Sequence, residues 1–192
     1  CFCFDANVRS HRYIDIESGY DARKFGKRIL SLPPDVNQAR NYDWDFLKWV
    51  KKKTNKFIIP KGLTNVNDIL NADRIISGHG YLWISNHGGR MFNSGISSIS
   101  VLANLKNKKI KLKTKIISDG GIRKGSDILK FMCLGANYVG IGRPAIFGLI
   151  VNGHKGVKNI FKILENELFT SMINGGFNNY KSLSMSRLIF TK

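Results

Sequence analysis

The feature that most constrains this chain is a repeated alternation: short apolar runs, most of them rich in β-branched or aromatic residues, each closed by polar or glycine residues and followed by a segment of helical period. The runs are Phe2–Phe4, Phe57–Ile59, Leu82–Ser85, Ile116–Ser118 and Tyr138–Ile141. Helical spacing of apolar residues recurs over Trp44 to Lys51, Val66 to Ala72, Ile96 to Leu105 and Ser126 to Leu134, and again over a long C-terminal stretch from Val157 to Met172. Asp127 near the start of the fourth helix and Gly135 just past its end give the charge and cap asymmetry of a helix. Alternation of this kind is the pattern of parallel βα units. Each polar signature follows a strand directly, which in an α/β barrel is the face that carries chemistry. The expected fold class is therefore α/β, a TIM-type (β/α)8 barrel. It is expected to be incomplete: an eight-stranded barrel takes about 250 residues, and this chain has 192 and five candidate strands. Residues 1–192 read as the portion of one barrel domain that lacks its first units. The stretch from Ser18 to Tyr42, with Pro33-Pro34, reads as a mobile connection.

Composition narrows the class further. With 43% hydrophobic and 23% charged residues, the chain can bury a core, which excludes wholesale disorder. The longest apolar stretch, around Tyr138 to Val151, is interrupted by Arg143 and Pro144, so no transmembrane helix is expected. The chain opens at Cys1 on the run Cys1-Phe2-Cys3-Phe4 without a basic leader, and is expected to start mid-domain. Cys1, Cys3 and Cys133 have no C-x-x-C spacing and form no metal-ligand pattern with the four histidines, so no metal and no disulfide framework are expected. A reducing, cytoplasmic compartment follows from that cysteine usage. The formal charge of +18 raises nucleic acid as a partner. The basic residues, however, cluster at Lys51 to Lys56 and Lys106 to Lys115, where each cluster reads as a solvated helix end leading into a strand, with no interleaved aromatic platform. No nucleic-acid partner is expected. The charge is also compatible with peripheral attachment to the inner face of an anionic membrane.

Two segments carry phosphate chemistry. Asp119-Gly120-Gly121-Ile122-Arg123-Lys124-Gly125 ends one strand and leads into a helix; Ile141-Gly142-Arg143-Pro144 ends the next. Glycines let backbone N–H groups approach an anion, and an arginine adds charge-assisted bonds to its oxygens. Either Gly-Arg pair alone is also an ordinary turn; at consecutive strand ends the two favour a phosphate site in the position where barrels place one. A third segment, Ser85-Asn86-His87-Gly88-Gly89-Arg90, sets an imidazole beside a guanidinium, a proton acceptor next to a clamp for a carboxylate. Read in isolation, this histidine is also a turn residue satisfied by backbone.

Taken together, these segments resemble the FMN-dependent α-hydroxy-acid dehydrogenase/oxidase family, nearest in flavour to bacterial-type L-lactate dehydrogenases. Lys61-Gly62, Ser85 to Arg90, Asp119 to Gly125, and Leu134-Gly135-Ala136 through Pro144 occur in the family's order with nearly its spacing. Upstream, Arg12-Tyr13-Ile14-Asp15 with Ser18-Gly19 is similar to the segment after the family's fourth strand, and Asp5 falls where the family has an aspartate. The match covers nearly the whole chain, as strands four to eight. The resemblance implies His87 as the active-site base and Asp5 as the carboxylate that orients it. It implies Arg12 and Arg90 on the substrate carboxylate, Lys61 at the flavin's pyrimidine edge and Ser85 against the flavin. Asp119 would bind the ribityl chain, and Gly120, Gly121, Ile122, Arg123, Gly142 and Arg143 would form the phosphate end. The implied reaction is oxidation of an L-2-hydroxy acid, L-lactate foremost, to the 2-oxo acid. FMN is the cofactor, quinone or oxygen the final acceptor, and the full-length protein a homo-oligomer.

The sequence also departs from the family. Asn7 and Ser10 stand where a proline and a glycine are usual, the connection from Arg12 to Lys61 is shortened, and a small insertion lies near Ser77-Gly78-His79. The family's first half is absent, and with it much of the ring pocket. An inactive fragment or partner-binding remnant is therefore carried as the alternative, with a basic nucleic-acid binder behind it.

Overall fold

A computed structural model describes residues 1–5, 42–91 and 95–188. Arg12 lies outside the described residues, as does the connection expected from Ser18, up to residue 41. The described elements are β1 (Phe2–Cys3), α1 (Trp44–Lys53), β2 (Pro60–Lys61), α2 (Val66–Ile76), β3 (Tyr81–Ile84), α3 (Ser98–Asn107), β4 (Lys115–Asp119), α4 (Gly125–Cys133), β5 (Tyr138–Gly140) and α5 (Arg143–Asn174).

All five strands lie in one parallel sheet in the order β1-β2-β3-β4-β5. A doubly wound sheet reverses its strand order at a switch point; an unbroken progression, each strand beside its predecessor, is the arc of a barrel. Alternation along β3 sorts the two faces. Leu82 and Ile84 are fully buried, and they pack with Ile69, Ala72 and Ile76 of α2, Val101, Leu102 and Leu105 of α3, and Phe131 of α4 in the main core. The intervening Trp83 turns to the other, inner face, in register with Lys61 of β2 and Ile117 of β4. Site chemistry is thus carried on the face that the helices do not cover.

Local sequence explains the helix boundaries. Asp43 accepts the Phe46 N–H at 2.8 Å, Asn65 that of Asn67 at 2.8 Å, and Ser97 that of Ser100 at 3.3 Å; caps of this type are each worth about 1 kcal/mol. Lys51, Lys52 and Lys53 form the last turn of α1, where positive charge complements the helix dipole, as expected of that cluster. The insertion near Ser77 ends α2 in a left-handed cap, with φ 51° at Ser77. It is tied to the entry of β4, because Thr114 accepts the Gly78 N–H and Asp73 accepts those of Lys113 and Thr114.

Two boundaries differ from expectation. The second strand centres on Pro60–Lys61, with Ile58 making only an isolated bridge to Gly80. The apolar run marks the element, but its pairing is decided by β1, whose Phe2 and Phe4 donate to the carbonyls of Ile59 and Lys61; Phe57 is left 67% exposed. The last helix begins at Arg143, well before Val157, with Pro144 in its first turn where the missing N–H costs nothing. It breaks at Asn152–Gly153, where φ of Gly153 is 51°. Across this break the backbones of Gly148 and Gly156 touch, so a Cβ on Gly156 would overlap the Gly148 carbonyl. Alanine gains about 1 kcal/mol of helix propensity, but forcing two rigid backbones apart costs more. Gly156→Ala is expected to lose about 3 kcal/mol, read as a fall in Tm of roughly 6–12 °C; an unchanged melt would remove this contact from the stability argument.

Cys133 is buried in a second cluster with Leu168 and Met172 of α5. Burial pushes its thiol above the usual cysteine range, against a smaller lowering by the Ser184 backbone, so little thiolate exists near neutral pH. Alkylation by iodoacetamide at pH 7.5 should modify exposed Cys1 and spare Cys133 in the folded protein; equal labelling, mapped by mass spectrometry, would contradict that burial. Among the described residues, no helix is long and apolar enough to cross a membrane.

Candidate flavin site at the strand ends

The site is assembled from the segments that leave the C-terminal ends of the strands. Beyond β3, Ser85-Asn86-His87-Gly88-Gly89 forms a tight turn with φ of 55°, 68° and 74° at His87, Gly88 and Gly89. Two glycines take that conformation freely, whereas for His87 it costs about 1–2 kcal/mol. Local hydrogen bonds hold it there: Ser85 Oγ accepts the His87 N–H at 3.1 Å, Asn86 Oδ1 that of Gly88 at 3.1 Å, and the Asn86 carbonyl that of Gly89 at 2.9 Å.

This turn aims the imidazole at Asp5, which follows β1. His87 Nδ1 lies 3.3 Å from Asp5 Oδ1, the two side chains being 33% and 17% exposed. The carboxylate accepts, so Nδ1 carries the hydrogen, and in the neutral imidazole Nε2 then keeps its lone pair. Gly62 makes the approach possible. Its φ is 96°, and a Cβ there would overlap the Asp5 carboxyl.

Deeper in, Lys61 Nζ donates to Ser85 Oγ at 3.0 Å and lies 5.4 Å from the centroid of the Trp83 ring. Trp83 Nε1 donates to Asp119 Oδ2 at 3.1 Å, while Asp119 Oδ1 is buried with no partner among the described residues. A Cβ on Gly140 would sit 3.2 Å from the Asp119 Cβ, so the glycine leaves that carboxylate its room. Past Asp119 the chain turns through Gly120 and Gly121, with φ of 105° and 77°. The Arg123 and Lys124 N–H groups are taken by Asp127 Oδ2 and that of Gly125 by Glu167 Oε2. What the Arg123 segment can offer an anion is therefore its guanidinium, not the N-terminus of α4. After β5, Gly142 precedes α5, whose first turn no side chain caps, and Arg143 reaches back to the Gly88 carbonyl at 3.3 Å.

These parts enclose an open cleft of about 340 Å³. Of the residues named from sequence, Lys61, His87, Arg90, Asp119, Gly120, Gly121, Ile122, Arg123, Gly142 and Arg143 line it. Ile122 is 2% exposed and belongs to the main core. Ser85 and Asp5 stand behind the lining, Ser85 fully buried beneath Lys61 and His87. Gly88 and Ile141, which stand in the quoted motifs without a role of their own, also line the cleft, as do Trp83 and Gly140, which no motif named. For Trp83 the available signal was its place two residues before Ser85, on the same face of one strand.

The donor set fits a flavin mononucleotide. Four cations, Lys61, Arg90, Arg123 and Arg143, surround one carboxylate, a field suited to a phosphate and an organic acid. Nothing lies within 4 Å of where a Cβ on Gly121 or Gly142 would be, leaving open space beside backbone at the two loops that carry Arg123 and Arg143. The orphaned Asp119 Oδ1 needs a donor, which a sugar-alcohol hydroxyl supplies.

Comparison with known proteins places the chain. The family model described as FMN-dependent dehydrogenase matches residues 23–190. An L-lactate oxidase of Lentilactobacillus hilgardii is 39% identical over 164 residues, covering 85% of this chain and 43% of that protein. A 2-hydroxyacid oxidase of Dictyostelium discoideum is 38% identical over 183 residues, covering 89% of this chain and 45% of that one. Among solved structures, a flavocytochrome b2 mutant with pyruvate bound superimposes with a TM-score of 0.77 at 31% identity, over 96% of this chain and 45% of the other. The chain thus spans less than half the length of these relatives. The unreversed parallel arc, the cationic cleft at its strand ends and the extent of these matches lead to one assignment: the chain belongs to the FMN-dependent dehydrogenase family.

Proposed function

We propose that this protein oxidises an L-2-hydroxy acid, L-lactate foremost, to the corresponding 2-oxo acid with FMN as the electron acceptor. The observation that carries the reading is the His87–Asp5 pair at 3.3 Å, with His87 lining the cleft that also holds Lys61 and the two Gly-Arg loops.

FMN, when bound, supplies a two-electron acceptor. The chain's own residues do the rest. Arg123 and Arg143 would grip the phosphate, with Gly120, Gly121 and Gly142 leaving it room, and Asp119 would accept a ribityl hydroxyl. Lys61, steadied by Ser85, would set a fixed positive charge at the edge of the ring that gains electron density. Arg90 would fork onto the substrate carboxylate and so fix which hydrogen faces His87. A second clamp from Arg12 rests on the resemblance alone. His87 Nε2 takes the substrate's proton, whether from the hydroxyl in a hydride route or from carbon in a carbanion route. Asp5 holds the ring and balances the charge it acquires.

The test is direct: L-lactate should bleach the flavin absorbance of the FMN-loaded protein under anaerobic conditions. The rival reading, a remnant that binds a partner without turnover, draws on the open edges at β1 and β5 and on exposed Ile150 and Val151 of α5. FMN uptake with no bleaching by any short L-2-hydroxy acid would favour it.

A further inference from the structure

We propose that Trp83 is a positioning residue for the cofactor: its indole forms the floor of the cleft and holds both Lys61 and Asp119 in the arrangement that receives the flavin. The inference rests on the FMN reading above and adds to it a residue whose aromatic ring the site chemistry would not otherwise require.

Leu82 and Ile84 face the helices, so Trp83 is directed to the inner face, where it lines the cleft instead of filling the core. From β3 the indole contacts both neighbouring strands and approaches a third. Its face lies 5.4 Å below the Lys61 ammonium of β2. Its Nε1 donates at 3.1 Å to Asp119 at the end of β4, and its Cζ2 reaches to 3.8 Å of where a Cβ on Gly140 of β5 would stand. An indole has one hydrogen to donate and no lone pair to accept with. It can therefore satisfy only one oxygen of Asp119. Oδ1 remains buried and, among the described residues, unpartnered. A buried, half-satisfied carboxylate is unfavourable until a donor reaches it, and a polyhydroxyl chain lying across the indole brings one. The same ring holds Lys61 by a cation–π contact, while Ser85 Oγ accepts from Nζ on another side. One side chain thereby sets the orientation of the carboxylate for the ribityl chain and of the cation for the ring.

The experiment uses the full chain. The other two tryptophans, Trp44 and Trp49, lie on α1, so a W44F/W49F variant leaves Trp83 as the single indole. Titrating FMN into it should quench Trp83 emission saturably, with the same midpoint as the flavin signal. In a second arm, W83F keeps a ring and loses the N–H. FMN affinity is expected to fall about 10-fold; in W83L, which removes the ring as well, the flavin reduction potential, measured against a reference dye, is expected to shift to lower values as Lys61 loses its cation–π contact. Trp83 emission that stays unquenched at saturating FMN overturns the proposal, even if W83F does not fold. So does an FMN affinity unchanged in W83F together with a reduction potential unchanged in W83L. Failure of the wild-type chain to take up FMN at all overturns the underlying flavin reading and this proposal with it, whereas either of the former results removes Trp83 alone.

Discussion

His87→Ala should lower the rate at which L-lactate bleaches the FMN-loaded protein by about three orders of magnitude while leaving flavin uptake near the wild-type level. A positioned general base contributes on the order of 10²–10⁴ in rate. Here the strained backbone at φ 55° and the bond to Asp5 show a ring whose position is over-determined. Deleting the ring removes the proton acceptor but none of the groups at the phosphate end, Gly121, Arg123, Gly142 or Arg143. Anaerobic stopped-flow at 450 nm separates the two effects, since flavin content is read before substrate is added. A variant that holds FMN and bleaches at the wild-type rate would take His87 out of the mechanism.

The second large effect is on cofactor affinity. Arg123→Ala combined with Arg143→Ala should weaken FMN binding by roughly 10²–10⁴-fold, because each charge-assisted bond to a phosphate oxygen is worth about 1.5–3 kcal/mol. The backbone leading into α4 is a weak substitute, the N–H groups of Arg123, Lys124 and Gly125 being committed to Asp127 and Glu167. Riboflavin, which has the ring and ribityl chain but no phosphate, gives the internal control: its affinity should be alike in wild type and double variant. A loss shared equally by FMN and riboflavin would mean that the two arginines support the fold of the cleft and not the phosphate.

Much of the fold was legible because each βα unit advertises itself locally. The run Leu82 to Ser85 and the helical spacing over Val66 to Ala72 and Ile96 to Leu105 are statements about neighbouring residues, and the elements they announce form within a few residues of where they were expected. The misplaced features are the ones that depend on a partner. The second strand runs to Lys61 because β1 pairs there, and the final helix, entered at Arg143-Pro144, is broken at Asn152–Gly153, where the Gly148 and Gly156 backbones touch. The same division runs through the site. Lys61, His87, Arg90 and the two Gly-Arg loops stand in motifs and could be named one by one, whereas Trp83 stands in none. It sits between two core residues of a strand, and alternation alone says which face it takes but not what it meets there.

The inventory and order of the chemical groups are legible along the chain alone: which residues can take a proton, carry a positive charge or let backbone approach an anion, each beside its own strand end. Tertiary structure alone decided who meets whom. Asp5 and His87, 82 positions apart, come within 3.3 Å, and Trp83 and Asp119, 36 apart, within 3.1 Å. The physical reason is that these distances follow from the register of a parallel sheet. Register is settled by how Leu82, Ile84 and Ile116 pack against the helices behind them, and no local pattern in the chain encodes it.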